Sequence, residues 1–254
     1  MKGALKRIQR NWEELARKDP YWAILTSSGK QGNRWDLGEF FRTGEVEIQA
    51  SLAHLEGVGL AVRRRAALDF GCGAGRLTQA IAGHFEQVYG VDIAPSMIKQ
   101  ARKHNRYGER CRYVLNETDD LRLFPDASFD FIYSYITLQH IEPADAKRYL
   151  AEFLRLLTPE GLLVFQLPTR RLRGRFRGVL TKAFPRLAQA YRKLRSGGSE
   201  PQMEMHVIDK ATVMGFLADR GAPVLDSQET VTHDGWLSVQ YVVGAPARPG
   251  HVSA

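Results

Sequence analysis

The segment Leu68-Asp69-Phe70-Gly71-Cys72-Gly73-Ala74-Gly75-Arg76 joins a short apolar run to three glycines at alternate positions. Glycines there let the backbone turn tightly and approach a ligand with no Cβ in the way, at the amino end of a helix. The run Ala66 to Phe70 reads as a strand, residues 76 to 84 as a helix, and Gln87-Val88-Tyr89-Gly90-Val91 as a second strand. Asp92 closes that strand, 21 residues after Gly71, where a carboxylate can accept two hydrogen bonds from a ribose diol. Farther out come a helix near 95–104 and strands at Cys111–Leu115 and Phe129–Tyr133, then a helix near 143–157 and a strand at Leu162–Gln166. Strands alternating with helices of this length imply right-handed crossovers and an α/β fold built on a doubly wound, mostly parallel sheet.

The flanks obey other patterns. Residues 3 to 18 read as a helix, with Leu5, Ile8, Trp12 and Leu15 three or four apart and Asp19-Pro20 ending it. A loop rich in Gly, Ser and aromatics follows, and a helical stretch then runs to about 57. Past Pro168 the alternation stops for about 38 residues and resumes with a helix near 209–220 and strands near 222–228 and at Trp236–Val243. The expected units are an amino-terminal helical cap (1–60), a core (61–168), a basic helical insertion (169–205) and a completion of the sheet (206–254), all within one catalytic domain.

The chain has 254 residues, 44% hydrophobic and 25% charged, enough apolar material for a substantial core and against dominant disorder. Cys72 and Cys111 are too few for a disulfide scaffold and too far apart for a local metal clip, so a reducing cytoplasm is expected and no metal is. The charged start lacks the apolar core of a signal peptide, and no uncharged apolar run reaches the roughly 18 residues of a membrane span. The net charge of +8 is local: ten basic residues and no acidic one lie between Arg170 and Arg195, leaving the remainder at −2.

Four stretches together resemble the class I S-adenosylmethionine-dependent methyltransferases: Leu68–Arg76, Tyr89–Met97, Phe124–Ser134 and Leu156–Leu162. The resemblance implies a seven-stranded Rossmann-like sheet whose last strand runs antiparallel, with S-adenosylmethionine as cofactor. It puts Gly71, Gly73 and Gly75 under the methionine part of the cofactor, Asp69 near its amino group, Asp92 on the ribose, and Ile93 and Met97 beside adenine. Glu117 and Thr118 stand where the family often has Asp-Ala, and Ser134 completes the set. Cys72 reads as a small packing residue. Arg76, in place of a third fingerprint glycine, disfavours a nicotinamide-dependent dehydrogenase.

Methyl transfer from a sulfonium needs alignment and exclusion of water, and a base only where the acceptor must lose a proton. His140, after the fourth strand, is the candidate base, against a packing or capping role. Gln139 and His206 are candidates to face the acceptor, as are Trp22, Arg34 and Trp35 from an amino-terminal lid, whereas Trp12 and Phe40 read as core and His233 as a turn residue. The expected activity is O-methylation of a small-molecule or sugar- or lipid-linked acceptor. The alternatives are N-methylation of a small molecule or RNA, and a catalytically inactive cofactor-binding scaffold. The insertion carries an apolar stripe among basic residues, so it either covers the site or touches an anionic membrane, a peripheral placement on a cytoplasmic protein. Without an RNA-binding module, nucleic acid is the weaker partner.

Overall fold

A computed structural model describes residues 3–172, 203–232 and 235–247. Its elements in chain order are α1 (Gly3–Lys18), α2 (Pro20–Ile24), α3 (Leu37–Gly57), β1 (Ala66–Phe70), α4 (Arg76–Ala82), β2 (Gln87–Asp92) and α5 (Pro95–Lys103). Then follow β3 (Cys111–Leu115), β4 (Phe129–Ser134), α6 (Pro143–Leu156), β5 (Leu157–Arg171), α7 (Lys210–Ala218), β6 (Val224–Val231) and β7 (Trp236–Gly244). The seven strands form one sheet in the order β3-β2-β1-β4-β5-β7-β6. The first five pair in parallel, and β7 runs antiparallel to both β5 and β6.

Alternation along the strands divides the core between two faces. Leu163 and Phe165 of β5 pack with Tyr149, Phe153 and Leu217 under α6 and α7. Leu162 and Val164 of the same strand pack with Ile48, Leu77, Ile81 and Ile98 under α3, α4 and α5. The order of the strands reverses between β1 and β4, so the loops after β1, β2 and β4 open a crevice at their carboxyl ends, the usual ligand position in such sheets.

Two local signals produce differences from the sequence expectations. The aromatic loop after α1 contains a short helix, α2, because Asp19 accepts from the Trp22 amide (3.3 Å) as its cap and Pro20 begins it. The second oxygen of Asp19 accepts from the amides of Gly32 (2.6 Å) and Asn33 (2.9 Å), which closes the rest of the loop. Strand β5 runs past Pro168 to Arg171, where it pairs with Trp236. Proline has no amide to donate, but the register shift between Pro168 and Arg170 accommodates it at a bulge. Arg170 and Arg171 therefore belong to the sheet, with the Arg171 guanidinium 5.4 Å from the centre of the Trp236 ring. The rest of the basic run and His233 lie outside the described residues. No helix among the described residues is long and apolar enough to cross a membrane.

Candidate active site

A cleft partly open to solvent lies at the crevice, lined from α1, the ends of β1 and β2 and the segment after β4. Its floor is the β1–α4 loop. The amides of Gly71 and Cys72 both donate to the Val91 carbonyl (2.8 and 3.0 Å), which folds the loop back over β2. Gly71 and Gly73 have φ of 78° and 52°, in the left-handed region. A Cβ on Gly71 would come within 2.2 Å of Thr137, and one on Gly73 within 2.6 Å of Ile24. Neighbouring segments thus close on a bare backbone.

Asp92 lines the cleft and accepts from the Gly73 amide (2.9 Å) and the Ala94 amide (2.8 Å), one with each oxygen. Carboxylate oxygens have further lone pairs, so these bonds orient the group without exhausting it. Burial raises the Asp92 pKa above the usual carboxylate value while the amides of Ala94 and Gly73 oppose the rise. Ile93 and Met97 line the wall beside it. Asp69 lies deeper, off the cleft lining: it is fully enclosed, accepts from the Thr78 hydroxyl (2.6 Å), and is pushed up to about 6, chiefly by burial.

The remaining residues of the expected cofactor set are dispersed. Gly75 (φ 83°) starts α4 below the loop, where a Cβ would strike the Tyr113 hydroxyl at 2.6 Å. Ser134 is buried and donates to the Phe70 carbonyl (3.2 Å). Glu117 is exposed and accepts from Gln9 of α1 (2.6 Å), and the Thr118 hydroxyl donates to Asn116 Oδ1 (2.8 Å). Asn116, rather than its two successors, lines the cleft. The Cys72 thiol is buried, and burial first, then the charges of Asp92 and Asp69, holds its pKa well above the ordinary thiol value, which keeps it protonated.

His140 lies in a 3₁₀ turn, Leu138–His140, after β4, and forms part of the opposite wall. Its Nδ1 is 2.7 Å from the Glu204 carbonyl oxygen, so Nδ1 carries the proton and donates. Nε2 is then the unprotonated nitrogen, 3.2 Å from Gln139 Nε2. Burial lowers the His140 pKa, partly opposed by the Glu204 bond, and the ring is neutral at neutral pH. Just before it, Ile136 lines the cleft with φ of 59°. A β-branched residue in the left-handed region is strained, and such strain gathers at functional sites.

The cover comes from α1. Leu5, Ile8 and Trp12 line the cleft, and the Trp12 ring meets the His140 ring edge-on at 5.0 Å. Among the lid candidates, Trp35 is buried with Phe40 and Phe41 in a separate aromatic cluster, Trp22 packs at its margin, and Arg34 is exposed. Gln139 is buried against His140. His206 donates its backbone amide to the Gln139 carbonyl (2.7 Å), and its ring lies between Glu142 (3.9 Å) and Glu204 (3.7 Å). Ligand atoms of these three lie within 4.8 Å of one another, but Arg7 of α1 already bridges both carboxylates at 3.2 and 3.4 Å. The spacing of Leu5, Ile8 and Trp12 marks one face of α1; what that face covers depends on tertiary packing.

Residues 68–165 match the methyltransferase-domain family. The chain is 34% identical over 106 residues to a malonyl-[acyl-carrier protein] O-methyltransferase of Halorhodospira halophila, covering 41% of this chain and 35% of that protein. It is 32% identical over 119 residues to a ubiquinone biosynthesis O-methyltransferase of Xanthomonas axonopodis pv. citri, covering 46% and 47%. The chain thus spans about a third to a half of the length of these relatives. The fold is shared with the magnesium protoporphyrin IX methyltransferase of Synechocystis PCC 6803, solved with bound SAH: TM-score 0.62, 17% identity, 94% of this chain and 98% of that one. Residues 68–165 thus carry a methyltransferase domain, and the strand order with its antiparallel last strand is the Rossmann-like fold shared with that solved methyltransferase.

Proposed function

We propose that the protein uses S-adenosylmethionine to methylate an oxygen of a small-molecule or sugar- or lipid-linked acceptor, with His140 as general base. When bound, S-adenosylmethionine supplies a methyl group already activated on a sulfonium. The residues present fit such a donor: bare glycine backbone on the floor, the Asp92 carboxylate at the end of β2, and the apolar Ile93 and Met97 beside it. Asp92 would hold the ribose diol, and Ile93 and Met97 would flank adenine.

The observation that carries the reading is the protonation of His140. The Glu204 carbonyl fixes the Nδ1–H, burial keeps the ring neutral, and Nε2 has a lone pair able to take the hydroxyl proton. The acceptor hydroxyl would take the position of the Gln139 amide at Nε2, and Gln139 would then steady the oxygen. Trp12, Ile8 and Leu5 line the cleft on the same side as the ring and would exclude water from a bound acceptor. The two relatives named O-methyltransferases favour oxygen as the accepting atom.

The reading is tested by titration calorimetry with S-adenosylmethionine on wild type and Asp92→Ala. Wild type should bind, and the variant should bind at least about tenfold more weakly, since hydrogen bonds to a charged group contribute about 1.5–3 kcal/mol. Absence of binding to wild type overturns the proposal.

A further inference from the structure

Arg76 is the first residue of α4, directly after the glycine loop, and it lines the same cleft as Gly71 and Gly73. It is only 4% exposed, yet its hydrogen bonding is incomplete. Nη1 donates to the Thr43 hydroxyl of α3 at 3.3 Å, and Nε is buried without a partner. The carboxylates that act on it through space, Glu47 and Asp69, direct their hydrogen bonds elsewhere: Glu47 accepts from Tyr133 (2.9 Å) and Asp69 from Thr78 (2.6 Å). The side chain is also held from behind. A Cβ on Gly44 of α3 would come within 2.4 Å of the Arg76 carbonyl oxygen and 2.8 Å of its Cγ, so α3 packs directly on this residue.

Burying a guanidinium with an unused donor is costly, and a planar fork of N–H groups suits a carboxylate that accepts two of them. Two charged residues thus line the cleft as its poles, Asp92 at the end of β2 and Arg76 at the start of α4, with the glycine loop in the same wall. The methyl donor has matching poles: a ribose diol that donates hydrogen bonds, and an amino-acid end whose carboxylate accepts them. We infer that Arg76 receives the α-carboxylate of the donor's amino-acid end and so fixes which way the donor lies in the cleft. This rests on the donor reading given above and adds a selection rule to it: ligands that keep the carboxylate are preferred to those that lack it.

The test is calorimetry with three ligands: S-adenosylhomocysteine, its decarboxylated counterpart, and methylthioadenosine, which lacks the whole amino-acid end. Wild type should prefer S-adenosylhomocysteine to the decarboxylated compound by about 10–100-fold, as expected for charge-assisted hydrogen bonds. Arg76→Gln should lose that preference while binding methylthioadenosine as wild type does, and Arg76→Lys should restore part of it. The inference is overturned if wild type binds the two amino-acid compounds equally, a comparison that needs no variant to fold. It is also overturned if Arg76→Gln weakens all three ligands alike, which would mark the residue as structural. Failure of wild type to bind any of the three would instead overturn the donor reading itself.

Discussion

The floor of the cleft and its cover are built from opposite kinds of contact. The floor is interior: the Gly71 and Cys72 amides are anchored to Val91, Asp92 is tied to Gly73 and Ala94, and Asp69 and Thr78 are wholly enclosed. The cover buries the apolar face of α1 but makes its polar contacts at the surface. Arg7 bridges Glu142 and Glu204 with its side chain 46% exposed, Gln9 reaches Glu117 and the Ile93 carbonyl, and Glu13 accepts from the Ser96 amide and hydroxyl. Exposed ion pairs contribute about 0–1 kcal/mol each and weaken with salt, whereas buried, fully bonded groups hold one geometry. The floor is thus held in one geometry by buried bonds, whereas the polar contacts of the cover lie largely at the surface.

The largest effect should come where cover and floor meet. His140→Ala is expected to slow turnover by about 10²–10⁴-fold while S-adenosylhomocysteine binds within a few-fold of wild type. An unchanged rate, followed with any accepted oxygen acceptor, would remove His140 from proton transfer. Since burial lowers its pKa from 6.5, the rate in wild type should stay level through neutral pH and fall only on acidification below that value. The same depression means that His140 contributes stability above pH 6.5 that is lost as pH falls through the lower folded value.

Asp69 probes the floor alone, with the opposite sign. Its folded pKa is raised from 3.8 to about 6, so the folded state takes up protons more readily than the unfolded chain. Its stabilising contribution is present below pH 3.8 and is lost as pH rises through about 6, on the order of 3 kcal/mol in all. Asp69→Asn should flatten that part of the profile in urea melts at pH 4 and pH 7. Equal slopes for variant and wild type would mean that the carboxylate is not held in an interior environment.

A smaller change is expected from Gly71→Ala, since the left-handed backbone and the 2.2 Å approach to Thr137 leave no room for a methyl group. A loss of about 1–3 kcal/mol, read as a lower melting temperature and weaker S-adenosylhomocysteine binding, is the expected outcome. The smallest effect belongs to the cover. Arg7→Ala should cost at most about 1 kcal/mol of global stability but speed amide hydrogen exchange along α1. If exchange in the floor loop quickened equally, the two regions would not be mechanically separate.

The floor was legible in the sequence because it is local. The alternate glycines, Asp92 at the end of the second strand and the strand–helix rhythm are all fixed by neighbours within about 25 residues. The cover was not, because it depends on contacts across the whole chain: Arg7 lies 135 positions from Glu142, and Gln9 lies 108 from Glu117. The apolar stripe of α1 announced a helix with one buried face, but nothing in it says that the face packs on α5 and closes over the cleft beside His140. Trp35 shows the converse. An aromatic in a glycine-rich loop suggests a lid, yet its indole N–H donates to Leu25 (3.2 Å) and its ring packs on Phe40. Arg76 was visible only as a missing glycine, and its partnerless Nε could not be read without the packing of α3.

Strand β5 ends beside β7, where the Leu172 amide donates to Gly235, and the chain is fastened again where the amides of His206 and Ile208 donate to Gln139 and Pro168. Both ends of the intervening stretch are therefore anchored to described parts of the fold, one at β7 and one beside His140. Doubling the length of such a closed loop costs only about 0.6 kcal/mol of chain entropy. The length of this stretch can accordingly change at little entropic cost while the sheet to which it is anchored stays the same.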